Sequence, residues 1–503
     1  MLESMKSSSV RIPSKQKSAS YDKTPSTSPI DNLPAELVAL ILEFSLKCDA
    51  NAFHEKYRFP TRLMAVSKWW RTVVLSTPSL WASIYVGTSW SSAHLEYHEA
   101  TLEVYQRRIL LAGMLPLELC LEDGPVATTA DAGLSRDDED EGGEEGDVDD
   151  DDDDDNNDQH FILGKSWERG IPPHLRLSSF IERYQERWEK VVIITNRRRL
   201  GVRNFINDVW PVSLPNALDI QIVDKDYLLR IKYLMATPII PTFSAPKLKY
   251  MQITASYGTV RWSPMHFPSL QKLVLRSRPE TMYHTIHSIH SLGNLRTLVL
   301  RLGSFDFGIG RTRPFLLFPE SRSTPVFSTL ETLSLSEAPY KFVAGFLGTI
   351  FTPNLVTLAV ECHGNSKPLA RFPTYDFPSL RSFAYLELKN KVRDDGTIVG
   401  AILLAAPELE RLVLAIHDEG QIDDKHGLCL AKLLSRSGPT ILCPNLEKVH
   451  LENYPTSAGK VPNNRPLIEV TIRRSGDKFG EVLEDILGSF DKRDLFLPVN
   501  RST

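Results

Sequence analysis

An L-x-x-L-x-L phrase, with an apolar residue at each L position, recurs eight times from residue 245 onward in this 503-residue chain. It constrains the fold more than any other feature of the sequence. The copies read APKLKYMQIT, FPSLQKLVLRS, LGNLRTLVLRL, FSTLETLSLSE, TPNLVTLAVEC, FPSLRSFAYLEL, APELERLVLAI and CPNLEKVHLEN. Their first leucines are Leu248, Leu270, Leu295, Leu330, Leu355, Leu380, Leu409 and Leu446. The spacings are 22, 25, 35, 25, 25, 29 and 37 residues, and five of the seven match the roughly 20–29-residue period of leucine-rich repeats. The two long intervals read as insertions, at 303–326 and 416–442.

The end of each phrase is a short strand whose alternate side chains point inward. Segments between phrases, such as KFVAGFLGTIF and TIVGAILLAA, have a helical pattern. A strand followed by a helix, repeated, predicts an α/β solenoid: parallel strands with an outer layer of helices. Weaker copies precede the eight, at 83–86, 115–122, 188–195 and 217–223, and one follows at 467–474. The expected total is about thirteen strands. A solenoid also removes the need for the three domains that this length would otherwise suggest.

The N-terminal part is different. Residues 1–28 are rich in Ser, Lys and Pro, a composition that predicts a disordered tail. Structure is expected to begin at IDNLPAELVALILEFSLKC, where Pro34 suits a first helical position and Glu36 the first turn. Leu37, Leu40, Ile41 and Phe44 form one apolar stripe, and Val38, Leu42 and Leu46 form a second beside it. One stripe is enough to pack a helix on its own domain, so the second is expected to meet a partner. Further on, Leu63, Val66, Trp70 and Val73 or Val74 share helical spacing, and Thr77-Pro78 ends that reading. Residues 30–81 thus predict two or three short helices around a small core.

These residues resemble an F-box. Leu33, Pro34, Glu36, Leu37, Ile41 and Leu42 match its first half; Leu63, Val66, Ser67, Lys68, Trp70 and Arg71 match its second. Ser67 stands where the family commonly has cysteine, and the connection over 46–61 is longer than usual. The continuation LSTPSLWASI is especially similar to fungal, basidiomycete-type F-box proteins with C-terminal leucine-rich repeats. The repeats depart from the regular pattern, because the asparagine or cysteine expected after L-x-x-L-x-L is missing from every copy. The resemblance implies an F-box over 29–81 and a solenoid over 82–503. It implies docking of a Skp adaptor through Leu33, Pro34, Leu37, Ile41 and Leu42, with Trp69 as a further contact. Leu63, Val66 and Trp70 would form the core of the box, and Trp81 would pack the junction with the first repeat. The protein would then be the substrate-recognition subunit of a Skp–cullin–F-box ubiquitin ligase, its repeats binding an unknown protein substrate. The other reading is a repeat scaffold that no longer engages a ligase.

Nothing in the sequence points to chemistry. Gly164-Lys165-Ser166 lacks the glycine of a phosphate loop, with Gln159 in its place. His94, His98 and Glu99, and likewise His284, His287 and His290, have no second ligand cluster nearby, and read as solvated or capping residues. No enzyme activity, metal or cofactor is expected. The five cysteines are odd in number and widely spaced, which fits a reducing, intracellular compartment, cytoplasmic or nuclear. No run of 18 apolar residues suggests a membrane span. The net charge of −5 hides an acidic run at 137–158 that holds 16 of the 63 acidic residues; the remainder carries 58 basic against 47 acidic, or +11. That run predicts a disordered insertion over about 124–159, either self-shielding or partner-binding. The acidic run opposes a nucleic-acid reading of the basic excess.

Side chains between the leucines should line the open, concave face in columns. The first column reads Lys272, Thr297, Thr332, Thr357, Ser382, Arg411, Lys448; the second is mostly small and apolar, from Val274 to His450. The third begins Arg276, Arg301, Ser336, Glu361 and ends at Glu452, running from basic to acidic. Lys272, Arg276, Arg301, Glu361, Arg411 and Glu452 are therefore the substrate-binding candidates, with Arg276 and Arg301 expected to contact an acidic partner. Replacing 137–158 with a short Gly/Ser linker is expected to leave the melting temperature within a few degrees of wild type. A thermal scan checks this, since so polar a run has almost no apolar surface to bury.

Overall fold

The computed structural model describes residues 33–48, 53–88, 97–123, 179–195, 213–224, 243–254, 265–276, 279–302, 324–363, 376–388, 397–416, 443–452 and 469–473. The N-terminal tail, the acidic run, the Gly164-Lys165-Ser166 motif and most of the two long insertions lie outside these residues. The chain divides into two compact units, Met1–Leu80 and Trp81–Thr503.

The second unit is built on strands β1 (Ser83–Thr88), β2 (Leu117–Asp123), β3 (Trp188–Thr195), β4 (Asp219–Asp224), β5 (Tyr250–Thr254), β6 (Lys272–Arg276) and β7 (Thr297–Arg301). It continues through β8 (Thr332–Pro339), β9 (Thr357–His363), β10 (Ser382–Leu388), β11 (Arg411–Ile416), β12 (Lys448–Glu452) and β13 (Glu469–Arg473). They form one sheet of thirteen strands in sequence order, every neighbour parallel. The α/β class and all thirteen expected strands, including the five weak copies, are present. The phrase leucines Leu273, Leu298, Leu333, Leu358 and Leu412 are buried behind the sheet. Helices α5 (Pro279–Ile289), α6 (Tyr340–Thr349) and α7 (Thr397–Ala405) supply apolar faces, such as Met282, Ile286 and Ile289 at i, i+4, i+7. α6 packs on β8 and β9, and α4 (Tyr97–Leu111) packs on β1. Trp81 is buried, with the buried Arg108 guanidinium 5.2 Å from its ring centroid and Arg108 Nε donating to the Ser83 carbonyl at 2.7 Å.

Each repeat enters its strand through the same turn. The N–H of the first leucine donates to the carbonyl three residues back, as Leu248 to Ala245 at 3.1 Å, Leu355 to Thr352 at 3.2 Å and Leu409 to Ala406 at 3.3 Å. Proline follows that carbonyl residue in most copies, at Pro246, Pro268, Pro353, Pro378, Pro407 and Pro444, a position where its fixed φ favours the turn. The next carbonyl in line accepts two N–H groups from the following repeat. Glu331 O, for example, takes Val356 N at 2.8 Å and Thr357 N at 3.0 Å, and Arg381 O takes Glu410 N and Arg411 N at 2.9 Å each. Asparagine rungs also exist, placed before the first leucine rather than after the strand. Asn216, Asn294 and Asn354 each donate from Nδ2 to a carbonyl of the preceding repeat at 2.6 Å.

The first unit is three helices, α1 (Ala35–Cys48), α2 (Phe53–Met64) and α3 (Lys68–Leu75), with α1 and α2 both packing on α3. The long connection contains α2, with Pro60 inside it. The continuous helical spacing expected from Leu63 to Val74 is broken at Ser67. Ser67 is the N-cap of α3, with extended φ −157° and ψ 170°, and its Oγ accepts the Trp70 N–H at 3.2 Å. Arg71 Nε in turn donates to the carbonyl of Met64, the last residue of α2, at 3.3 Å. The pair closes the turn between the helices. α3 ends at Leu75, ahead of Pro78, with Thr77 Oγ1 donating to the Val73 carbonyl at 2.7 Å.

These contacts set an order of sensitivity within the solenoid. Leu358→Ala is expected to cost about 2–5 kcal/mol, because Leu358 is fully buried between repeats. Asn354→Ala, which removes one rung, is expected to cost about 1 kcal/mol. Urea denaturation of the two variants checks the order.

Candidate functional site

Two surfaces separate themselves by their side chains. The first is α1. Val38 and Leu42 are buried, together with Val73, Val74 and Leu80 of the same unit. The other stripe is open: Leu37 is 48 % exposed, Leu40 60 %, Ile41 49 % and Phe44 70 %. Four large apolar side chains at i, i+3, i+4, i+7 thus face outward along one helix. Pro34 is exposed and Leu33 half-buried at its N-terminal end. Trp69 and Trp70 are both half-buried, with ring centroids 6.1 Å apart in an edge-to-face pair at 87°. Two assignments are corrected here. Leu42, expected on the adaptor-contacting face, is buried in the core, because it lies one helical position past Ile41, on the Val38 side. Val66 is not core: it is 63 % exposed, since it sits in the turn ahead of the Ser67 cap rather than on a continuing helix. Leu63 and Trp70 are half-buried.

The second surface is the open face of the sheet. The expected columns stand in register: Lys272, Thr297, Thr332, Thr357, Ser382, Arg411 and Lys448 are successive partners. The middle column is no open groove floor. Val274, Val299, Ser334, Ala359, Ala384, Val413 and His450 are all buried. Lys272 is half-buried, its Nζ 5.4 Å from the Tyr250 ring centroid, and Arg411 is half-buried. Glu452 pairs with Ala415 in register, and its side chain lies outside the described residues.

The third column changes most. Between β8 and β9 the register jumps from Leu335↔Val360 to Ala338↔Cys362, so Ser336 and Glu337 together oppose Glu361. Glu337 takes a left-handed φ of 53°, as the extra residue of a bulge can. The bulge brings Glu337 to Arg276, with Oε2 3.6 Å from Nη2. Arg301 is buried and pairs in register with Ser336. The two arginines therefore do not form a free basic end, and exchanging them for acids is not a surface change. Glu361 accepts the Glu337 backbone N–H, yet burial and then the Glu337 charge outweigh that bond and Arg301, pushing its carboxyl up to about 7.

Other polar contacts on this face escaped the column reading because they lie on the weak copies. Lys190 Nζ stands 3.5 Å from Asp219 Oδ2, and burial nonetheless raises the Asp219 carboxyl above its ordinary range. Tyr85 Oη donates to Glu122 at 2.6 Å, and burial and that bond raise its pKa. Cys120, Cys362 and Cys443 are buried, and Cys443 Sγ donates to the Leu403 carbonyl at 3.2 Å. Among the described residues no helix is long and apolar enough to cross a membrane.

No family model matches the chain, and no curated protein matches it.

The raised carboxyl has a thermodynamic sign. A folded-state pKa above the unfolded one means that the folded chain holds the proton more tightly. The contribution of Glu361 is full below the ordinary carboxyl range and is lost as pH rises to about 7. Glu361→Gln, which is neutral throughout, should therefore gain stability over wild type between pH 5 and pH 8. The gain is on the order of 2–3 kcal/mol and level above pH 8. Thermal scans of both proteins across that range check it.

Proposed function

We propose that this protein is the substrate-recognition subunit of a Skp–cullin–F-box ubiquitin ligase. In this reading α1 docks a Skp adaptor, and the solenoid binds the protein to be modified. The protein carries no chemistry of its own; transfer of ubiquitin belongs to the rest of the assembly. Fungal origin and an intracellular, reducing location are part of the same reading.

One observation carries it: the outward stripe Leu37, Leu40, Ile41 and Phe44 on a helix whose other stripe, Val38 and Leu42, already makes the core of its unit. Burying a leucine or phenylalanine side chain contributes roughly 1.5–3 kcal/mol, so four of them exposed on one helix are a ready interface. The stripe begins directly after Leu33 and Pro34, where the F-box likeness also begins. Ser67 and Arg71, two further residues of that likeness, brace α2 against α3.

Leu37→Ala with Ile41→Ala is expected to weaken capture of a Skp adaptor on the order of a hundredfold or more, with an unchanged melting temperature, because both residues are exposed. Val74→Ala should instead unfold the small unit, its side chain being fully buried. Pull-down with purified adaptor, alongside circular dichroism, checks both. Unchanged capture by the Leu37/Ile41 variant would leave the scaffold reading, without a ligase, in its place.

A further inference from the structure

We draw no further inference here: the strongest candidate, the exposed apolar patch formed by Leu110 in the last turn of α4 and by Met114 and Leu115 just beyond it, carries nothing because nothing in the structure shows what covers it.

Discussion

No repeat of this chain can bury its own leucines. Leu298 is covered because β6 and β8 stand on either side of it, and the same holds for Leu333 and Leu358. Every other feature of the second unit follows from that dependence. A carbonyl at the mouth of each strand from β4 to β11 takes two N–H groups from the next repeat, which fixes strand spacing and register at the point of entry. Once register is fixed there, the residues between the leucines have no choice of neighbour until the bulge at Ser336 and Glu337. The open face is thus a consequence of the buried one, and any polar group on it is placed with the accuracy of the core.

The strands were legible in the sequence because the apolar alternation has period two and, in most of the eight strong copies, is tied to a proline turn; the alternation alone survives in WEKVVIIT. The columns were legible for the same reason. What the sequence could not reveal was the bulge at Ser336 and Glu337. A two-against-one pairing depends on the partner strand, and Glu337 belongs to no column until the register has jumped. The basic end of the third column was misread for that reason: its counter-charge was one residue out of phase. In the first unit, Val66 fitted the helical spacing of Leu63 and Trp70, yet Ser67 competes for the backbone and starts a new helix. Ser67 followed by a tryptophan pair was a visible capping signal. Val66 lies ahead of that cap, in the turn, and is exposed. The asparagine rungs were sought after the strand, as in regular repeats, while Asn216, Asn294 and Asn354 make them from within the turn.

The two candidate surfaces ask for different partners on physical grounds. The α1 stripe is apolar and continuous, so its affinity scales with area removed from water and is nearly indifferent to pH and salt. The polar face over β6–β9 holds Arg276 and Arg301 beside Glu337 and Glu361, so contacts made on it depend on charge and salt. In the proposed assembly the first would hold a constant subunit and the second an exchangeable one. A shared adaptor gains nothing from selectivity at α1, and a substrate surface gains nothing from bulk apolar area that any unfolded chain could satisfy.

The small unit also explains why its exposed stripe can persist. Among the described residues its core is Val38, Leu42, Pro60, Val73, Val74, Thr77 and Leu80, close to the lower limit for a domain that folds without help. Turning Leu37 and Ile41 inward is not open to it, because α1 has only one face toward α3 and Val38 and Leu42 occupy that face. The helix caps at Ser67 and Arg71 then add local stability that the core cannot supply. A partner that binds only the folded form adds more by mass action, in proportion to the logarithm of its concentration over its dissociation constant. A marginal unit with an outward apolar stripe is therefore stabilised most by the very contact the stripe invites. Substituting polar residues along the stripe would spare the isolated fold and remove that coupling.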